Sequence, residues 1–149
     1  MGKKGKSDAQ VYLEQVEKLD SVIKNKLIEK QQWKEIALGI TANMEGERVQ
    51  STGAKSKMAN AIEKCVDIEA EIDDLIDRLI DLKKEVTATI EKLQSPTEYN
   101  LLHMRYIQFI PLKDIADRWN TEYTNVTTAH GKALKKVEEI IKKKVTLGD

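Results

Sequence analysis

The stretch MANAIEKCVDIEAEIDDLIDRLIDLKKEVTATIEKL, residues 58–93, decides the fold class of this chain. In alternating steps of four and three residues from Met58 onward, nine of eleven positions are apolar, and only Glu69 and Lys83 depart from the pattern. That spacing is typical of a long helix that buries one narrow stripe in a coiled-coil-like contact. It predicts a helix over about residues 54–93.

The preceding segment carries a similar stripe between about residues 8 and 44, which predicts a second long helix. The stripe consists of Tyr12, Val16, Leu19, Ile23, Trp33, Ala37, Ile40 and Met44. Residues 45–57 are polar and contain Gly46 and Gly53, which predicts a loop at about this position. Two such helices can fold back antiparallel and bury their stripes against each other, or each stripe can pair with another chain.

Two helices alone make a thin core. We therefore expect either dimerisation or docking of the C-terminal part of the chain onto the hairpin, and the assembly we predict is a homodimer.

A break at Ser95 and Pro96 divides the chain. Proline ends the long helix, and Ser95 or Thr97 can cap a new one, so we place a domain boundary after residue 94. The predicted organisation is a basic tail over residues 1–7, a helical hairpin over 8–94 and a small helical domain over 95–149.

The small domain has the pattern of a helix-turn-helix. Residues 112–119 present an apolar face, residues 120–122 interrupt it, and a longer amphipathic stretch begins near Tyr123. Ala116 is small enough to let the second helix approach the first closely, and Asn120 tolerates the left-handed backbone that such a turn requires. The predicted fold is therefore all-α, a long antiparallel hairpin followed by a helix-turn-helix domain.

Charge is balanced overall but unevenly distributed. Residues 63–91 hold ten acidic and four basic side chains, whereas residues 125–145 hold six lysines and two glutamates. A basic segment that follows an acidic one along the sequence suggests a polyanionic partner for the basic part. A charged run can also be a solvated helix face.

Several classes of protein are excluded on composition and motifs. The single cysteine, Cys65, excludes an internal disulfide and fits a reducing cytoplasm, and no apolar run is long enough for a membrane span. A Gly-rich phosphate loop, a nucleophile elbow and a zinc-binding His-Glu-x-x-His helix are all missing from the sequence. We predict a cytoplasmic protein that is not an enzyme and needs no cofactor or metal.

Leu101 to Ile141 resembles region four of bacterial sigma-70 factors, with LKDIADR (112–118) like the first helix and KALKK (132–136) like the end of the recognition helix. The whole chain is similar to a bacteriophage family of sigma-region-four-like proteins with a long N-terminal helical hairpin. The matching strings are RVQSTG (48–53), LKKE (82–85), RYI (105–107) and HGKAL (130–134).

The resemblance implies a transcriptional regulator of phage or prophage type that binds double-stranded DNA, with host RNA polymerase as a further candidate partner. It implies that base edges are contacted by Tyr123, Thr124, Asn125, Thr127 and Thr128. Sigma factors carry arginines in this stretch, so guanine-directed recognition is weaker here and positive charge moves to Lys132, Lys135 and Lys136, which face phosphates. Arg118 and Lys113 are placed to hold the flanking DNA backbone.

The acidic hairpin leaves a second interpretation open, a structural or adaptor protein whose hairpin binds another protein. In either case the polar segment 48–53 gives no structural reason for Arg48 or Gln50, and we predict that these two residues contact a partner. A sigma region two is absent from this sequence, so no element for promoter melting is expected.

Overall fold

A computed structural model describes residues 5–46 and 52–146, without the side chains of residues 40–46, 52 and 54. The described part of the chain contains helices and no strand, so the all-α prediction is confirmed. In chain order the helices are α1 (Asp8–Gly46), α2 (Thr52–Ile90), α3 (Pro96–Leu102), a single π-helical turn (His103–Ile107), α4 (Leu112–Arg118) and α5 (Tyr123–Thr146).

Both ends of the loop predicted over residues 45–57 are helical in the structure. Residues 45–46 end α1, and residues 52–57 already belong to α2. Polar residues without an apolar period do not stop a helix, because each added residue contributes another backbone hydrogen bond. Arg48 and Gln50, the predicted partner contacts, lie outside the described residues.

Contacts divide the chain into two compact units, which we describe separately. Unit 1 comprises residues 5–18 and 79–146 of the described chain, and unit 2 comprises residues 19–78. The predicted boundary after residue 94 therefore does not coincide with the division between the units, because unit 1 includes the start of α1 and the end of α2.

In unit 2, α1 and α2 pack antiparallel. Lys26 Nζ lies 2.9 Å from Glu71 Oε1, and Lys30 Nζ lies 3.6 Å from Glu69 Oε2, so the position on α2 falls as the position on α1 rises. The Cys65 thiol is 3.9 Å from the carbonyl oxygen of Lys30.

The buried stripe of α2 in unit 2 differs from the predicted one. Ile62 and Ile76 were expected in the core but are 47% and 40% exposed, while Ala61 and Ile68 are buried in their place. An α-helix has 3.6 residues per turn, so a strict 3.5-residue seam drifts around the helix unless the helices supercoil to follow it.

Unit 1 has a core to which both long helices and the C-terminal helices contribute. Its buried members are Ala9, Leu13, Val16, Val86, Ile90, Leu93, Leu102, Tyr106, Ala133 and Val137. At its edge the Tyr12 hydroxyl lies 2.9 Å from Thr89 Oγ1 and 3.1 Å from a carboxylate oxygen of Glu85. The C-terminal helices therefore share their core with the hairpin, which is the docking expected as an alternative to dimerisation.

Side-chain capping starts two helices of unit 1, α3 and α1. Ser95 Oγ accepts a hydrogen bond of 3.2 Å from the Glu98 N–H, and Pro96 is the first residue of α3, as predicted. At the start of α1, Ser7 Oγ accepts from the Gln10 N–H at 3.1 Å.

The backbone is unusual at Phe109, two residues after the end of the π-helical turn. Phe109 has a φ of 62°, which is rare for an aromatic residue. The N–H of Gln108 donates to the His103 carbonyl at 3.0 Å, and that of Ile110 donates to the Met104 carbonyl at 2.9 Å. These backbone hydrogen bonds span five and six residues and lie between the π-helical turn and α4.

Candidate nucleic-acid interface

Helices α4 and α5 form a helix-turn-helix around a second, small core. Leu101, Ile115, Ala116 and Val126 are buried together there. Ala116 is only 3% exposed and is buried together with Val126 of α5.

The turn between α4 and α5 is a Schellman motif. The Thr121 N–H donates to the Ala116 carbonyl at 3.0 Å, and the Asn120 N–H donates to the Asp117 carbonyl at 3.1 Å. Asn120 has a φ of 53°, so the prediction of a left-handed asparagine in the turn is confirmed. The motif fixes the direction in which α5 leaves the turn.

The first turns of α5 carry the five residues predicted to read base edges. Tyr123, Thr124, Asn125 and Thr128 are exposed, and Thr127 is half-buried. Val126 and Ala133 face the cores. At 3.6 residues per turn, Thr124, Thr128, Gly131 and Lys135 follow one another along the opposite side of the helix.

Two of these five side chains make local hydrogen bonds. The Thr127 hydroxyl donates to the Thr124 carbonyl at 3.0 Å, and Asn125 Nδ2 donates to Thr121 Oγ1 at 3.0 Å. Asn125 and Thr127 therefore have less freedom to meet a base than Tyr123, Thr124 and Thr128.

The residues predicted to contact phosphates differ in whether they are paired with another side chain of the protein. Lys132 and Lys135 are exposed on α5, and Lys113 and Arg118 are exposed on α4. Lys136 differs, because its Nζ donates to both carboxylate oxygens of Glu98, at 2.9 and 3.2 Å.

Glu98 is nearly buried, with its side chain 11% exposed, so its charge needs a partner within the protein. Lys136 supplies that partner, while its own side chain remains 55% exposed.

One of the two acidic residues of α5 is also engaged. Glu138 Oε1 accepts a hydrogen bond of 3.2 Å from the Ala9 N–H, in the first turn of α1. A carboxylate at a helix N-terminus is stabilised by the unpaired N–H groups there.

Tyr106 and His130 form a stacked pair that joins α5 to the π-helical turn, which the sequence did not reveal. The Tyr106 hydroxyl and His130 Nε2 are 2.6 Å apart, and the two rings stack with centroids 5.7 Å apart. Arg105 lies 5.2 Å from the centre of the Tyr106 ring and 3.4 Å from a carboxylate oxygen of Glu17.

Burial sets the ionisation of this pair. It raises the pKa of Tyr106 above its usual value, and it lowers the pKa of His130, with the positive charge of Arg105 adding to the latter effect. His130 is therefore neutral at neutral pH and joins α5 to the core without adding charge. The strings RYI and HGKAL contain both residues, but nothing in the sequence indicates that they meet.

No family model, curated protein or solved structure was found to match this chain. In the part of the chain that the structure describes, no group of three or more His, Cys, Asp or Glu side chains is arranged to hold a metal ion. Within residues 5–46 and 52–146, no helix combines the length and the apolarity that a bilayer crossing requires.

Proposed function

We propose that this chain is a transcriptional regulator of phage or prophage type that binds double-stranded DNA with some dependence on sequence. One observation carries the proposal: the outward side of α5 is exposed and polar, directly after a helix-turn-helix turn. Tyr123, Thr124 and Thr128 lie at its start, and the exposed Lys132 and Lys135 follow.

In the proposed mechanism, the start of α5 enters the major groove. Threonine can donate to or accept from several base edges, and its methyl group can contact the thymine methyl group. The two exposed lysines contact phosphates, which adds affinity but no base preference. The protein therefore discriminates modestly among sequences and depends strongly on salt.

A homodimer would bind DNA more tightly than one copy of the chain. Two linked helix-turn-helix domains convert the second binding event into an intramolecular one, so affinity rises without new contacts. Host RNA polymerase is a second proposed partner, on the basis of the sigma-like sequence pattern alone.

Fluorescence anisotropy with a random-sequence DNA duplex tests the proposal. In each of the Lys132→Ala and Lys135→Ala variants, the slope of log affinity against log salt should become smaller in magnitude by about 0.9. The matched control is Lys55→Ala with Lys57→Ala, which removes two exposed lysines from unit 2 and should leave the slope unchanged. Absence of binding by the unaltered chain at low salt would refute the proposal, and equal slopes for all variants would refute the assigned face.

The exposed apolar side chains of unit 2 favour a second candidate function, that of an adaptor that binds another protein. Leu38 is 68% exposed and Val66 is 60% exposed. Together with Ile62 and Cys65 they line a groove of about 660 Å³ between α1 and α2. Apolar surface of this kind is typical of protein contacts.

The two functions predict different effects of a charged residue in that groove. If the chain is purely an adaptor, Val66→Glu should abolish capture of its partner and the chain should show no salt-dependent DNA binding. If it is a DNA-binding regulator, Val66→Glu should leave the affinity of each helix-turn-helix domain for DNA unchanged.

A further inference from the structure

The residues before α1 lie beside the second half of α5, in unit 1. Lys6 and Ser7 border a groove of about 540 Å³ whose other side is formed by Gly131, Lys135 and Lys142. The hydrogen bond between the Ala9 N–H and Glu138 fixes the start of α1 against α5 at the same place. The position of Lys6 relative to α5 is therefore determined by the fold.

This groove lies on the same side of α5 as the proposed base-reading residues. Gly131, Lys135 and Lys142 follow Thr124 and Thr128 at helical spacing, on the side opposite the buried Val126. At 1.5 Å per residue, Lys135 lies about 10 Å along the helix from Thr128. The major groove is about 12 Å wide, so a helix whose start contacts bases in it brings residues at this distance to a bounding phosphate strand.

Three lysines, Lys6, Lys135 and Lys142, and two glutamates line the groove, so its lining carries a small excess of positive charge. Glu138 accepts a hydrogen bond from the start of α1, and Glu139 is exposed. Lys6 Nζ lies 2.8 Å from Glu14 Oε1, but the Lys6 side chain remains 58% exposed. The Glu14 side chain is 24% exposed, so solvent partly screens the pair, and a phosphate can compete with Glu14 for Lys6.

We infer that Lys6, Lys135 and Lys142 together bind a phosphate strand of duplex DNA next to the groove that α5 enters. This inference rests on the proposed function and extends it, since it adds Lys6 and Lys142 to the interface and makes the start of the chain part of the DNA contact. These lysines contribute affinity, whereas the residues at the start of α5 determine sequence preference.

The test uses the full chain with Lys6→Ala and Lys142→Ala together. In anisotropy measurements with a random-sequence duplex, the slope of log affinity against log salt should be smaller in magnitude by about 1.8 than that of the unaltered chain. Between ~50 and ~200 mM salt, the unaltered chain should therefore lose about tenfold more affinity than the variant. The sequences selected from a random duplex pool should be the same for both proteins.

The matched control is Lys64→Ala with Lys84→Ala, which removes two exposed lysines of the acidic helix α2. An equal loss of slope in this control would overturn the inference, because the effect would then reflect net charge alone. Tight binding by the unaltered chain with no change in slope for the Lys6 and Lys142 variant would overturn the inference and leave the proposed function standing. Absence of DNA binding by the unaltered chain would overturn both, and a changed sequence preference would overturn the assignment to phosphates.

Discussion

Removing residues 1–94 should leave a C-terminal fragment that does not fold, although Pro96 marks an obvious helix boundary. Leu102, Tyr106 and Val137 are each at most 1% exposed and belong to the core of unit 1, which the two long helices complete. Exposing a buried side chain of this size costs about 1.5–3 kcal/mol, so the three together cost about 5–9 kcal/mol. That is comparable to the whole stability of a small domain, about 5–15 kcal/mol.

The fragment 95–149 can be compared with a chain in which residues 1–18 are joined to residues 79–149 by a flexible Gly-Ser linker. The second protein keeps all of unit 1 and should melt cooperatively by circular dichroism, with well-dispersed amide signals in NMR spectra. The fragment 95–149 should show neither property. A fragment that melts cooperatively and gives dispersed signals would refute the shared core.

Three further predictions concern single residues. Asn120→Ala should cost about 1 kcal/mol in urea unfolding because of the left-handed backbone there, whereas Asn120→Gly should change stability little. Gly131→Ala should raise the stability by about 0.5–1 kcal/mol, since a methyl group there meets nothing within 4 Å, and it should weaken DNA binding because it adds bulk to the proposed interface. The unfolded chain binds a proton at His130 more readily than the folded chain, so the contribution of this residue to stability should be complete above pH 6.5, its ordinary pKa, and decrease below that pH. His130→Gln should remove this part of the pH dependence.

Each of these variants has a comparison. Gly39→Ala, in α1, should give a similar gain in stability with no effect on DNA, because a methyl group at Gly39 also has open space. Equal DNA affinity for both alanine variants would show that Gly131 does not face DNA. Identical pH profiles for the unaltered chain and His130→Gln would contradict the neutral state of His130, and equal stability of the two Asn120 variants would contradict the turn geometry.

Properties that depend on short stretches of sequence were predictable. The two long helices follow from an apolar period, the start of α3 follows from Ser95 and Pro96, and the turn conformation follows from Asn120. In each case the physical cause lies within a few residues, so the sequence alone displays it.

Properties that depend on contacts between distant residues were not predictable. The core of unit 1 combines Ala9 with Val137, and nothing local in either segment indicates that they meet. The pairing of Lys136 with the nearly buried Glu98 likewise requires the folded structure. The exact buried stripe of α2 was missed for a different reason, since a small drift per turn accumulates along a long helix.

The central claim is that the outward side of α5 lies against duplex DNA, and amide chemical-shift mapping tests it most directly. On titration with a duplex recovered from a random pool, we expect the largest shift changes in residues 120–135, with smaller changes near Lys6 and Lys142. Signals of unit 2 should remain unchanged. Changes confined to α2, or none at saturating DNA, would contradict this placement of α5.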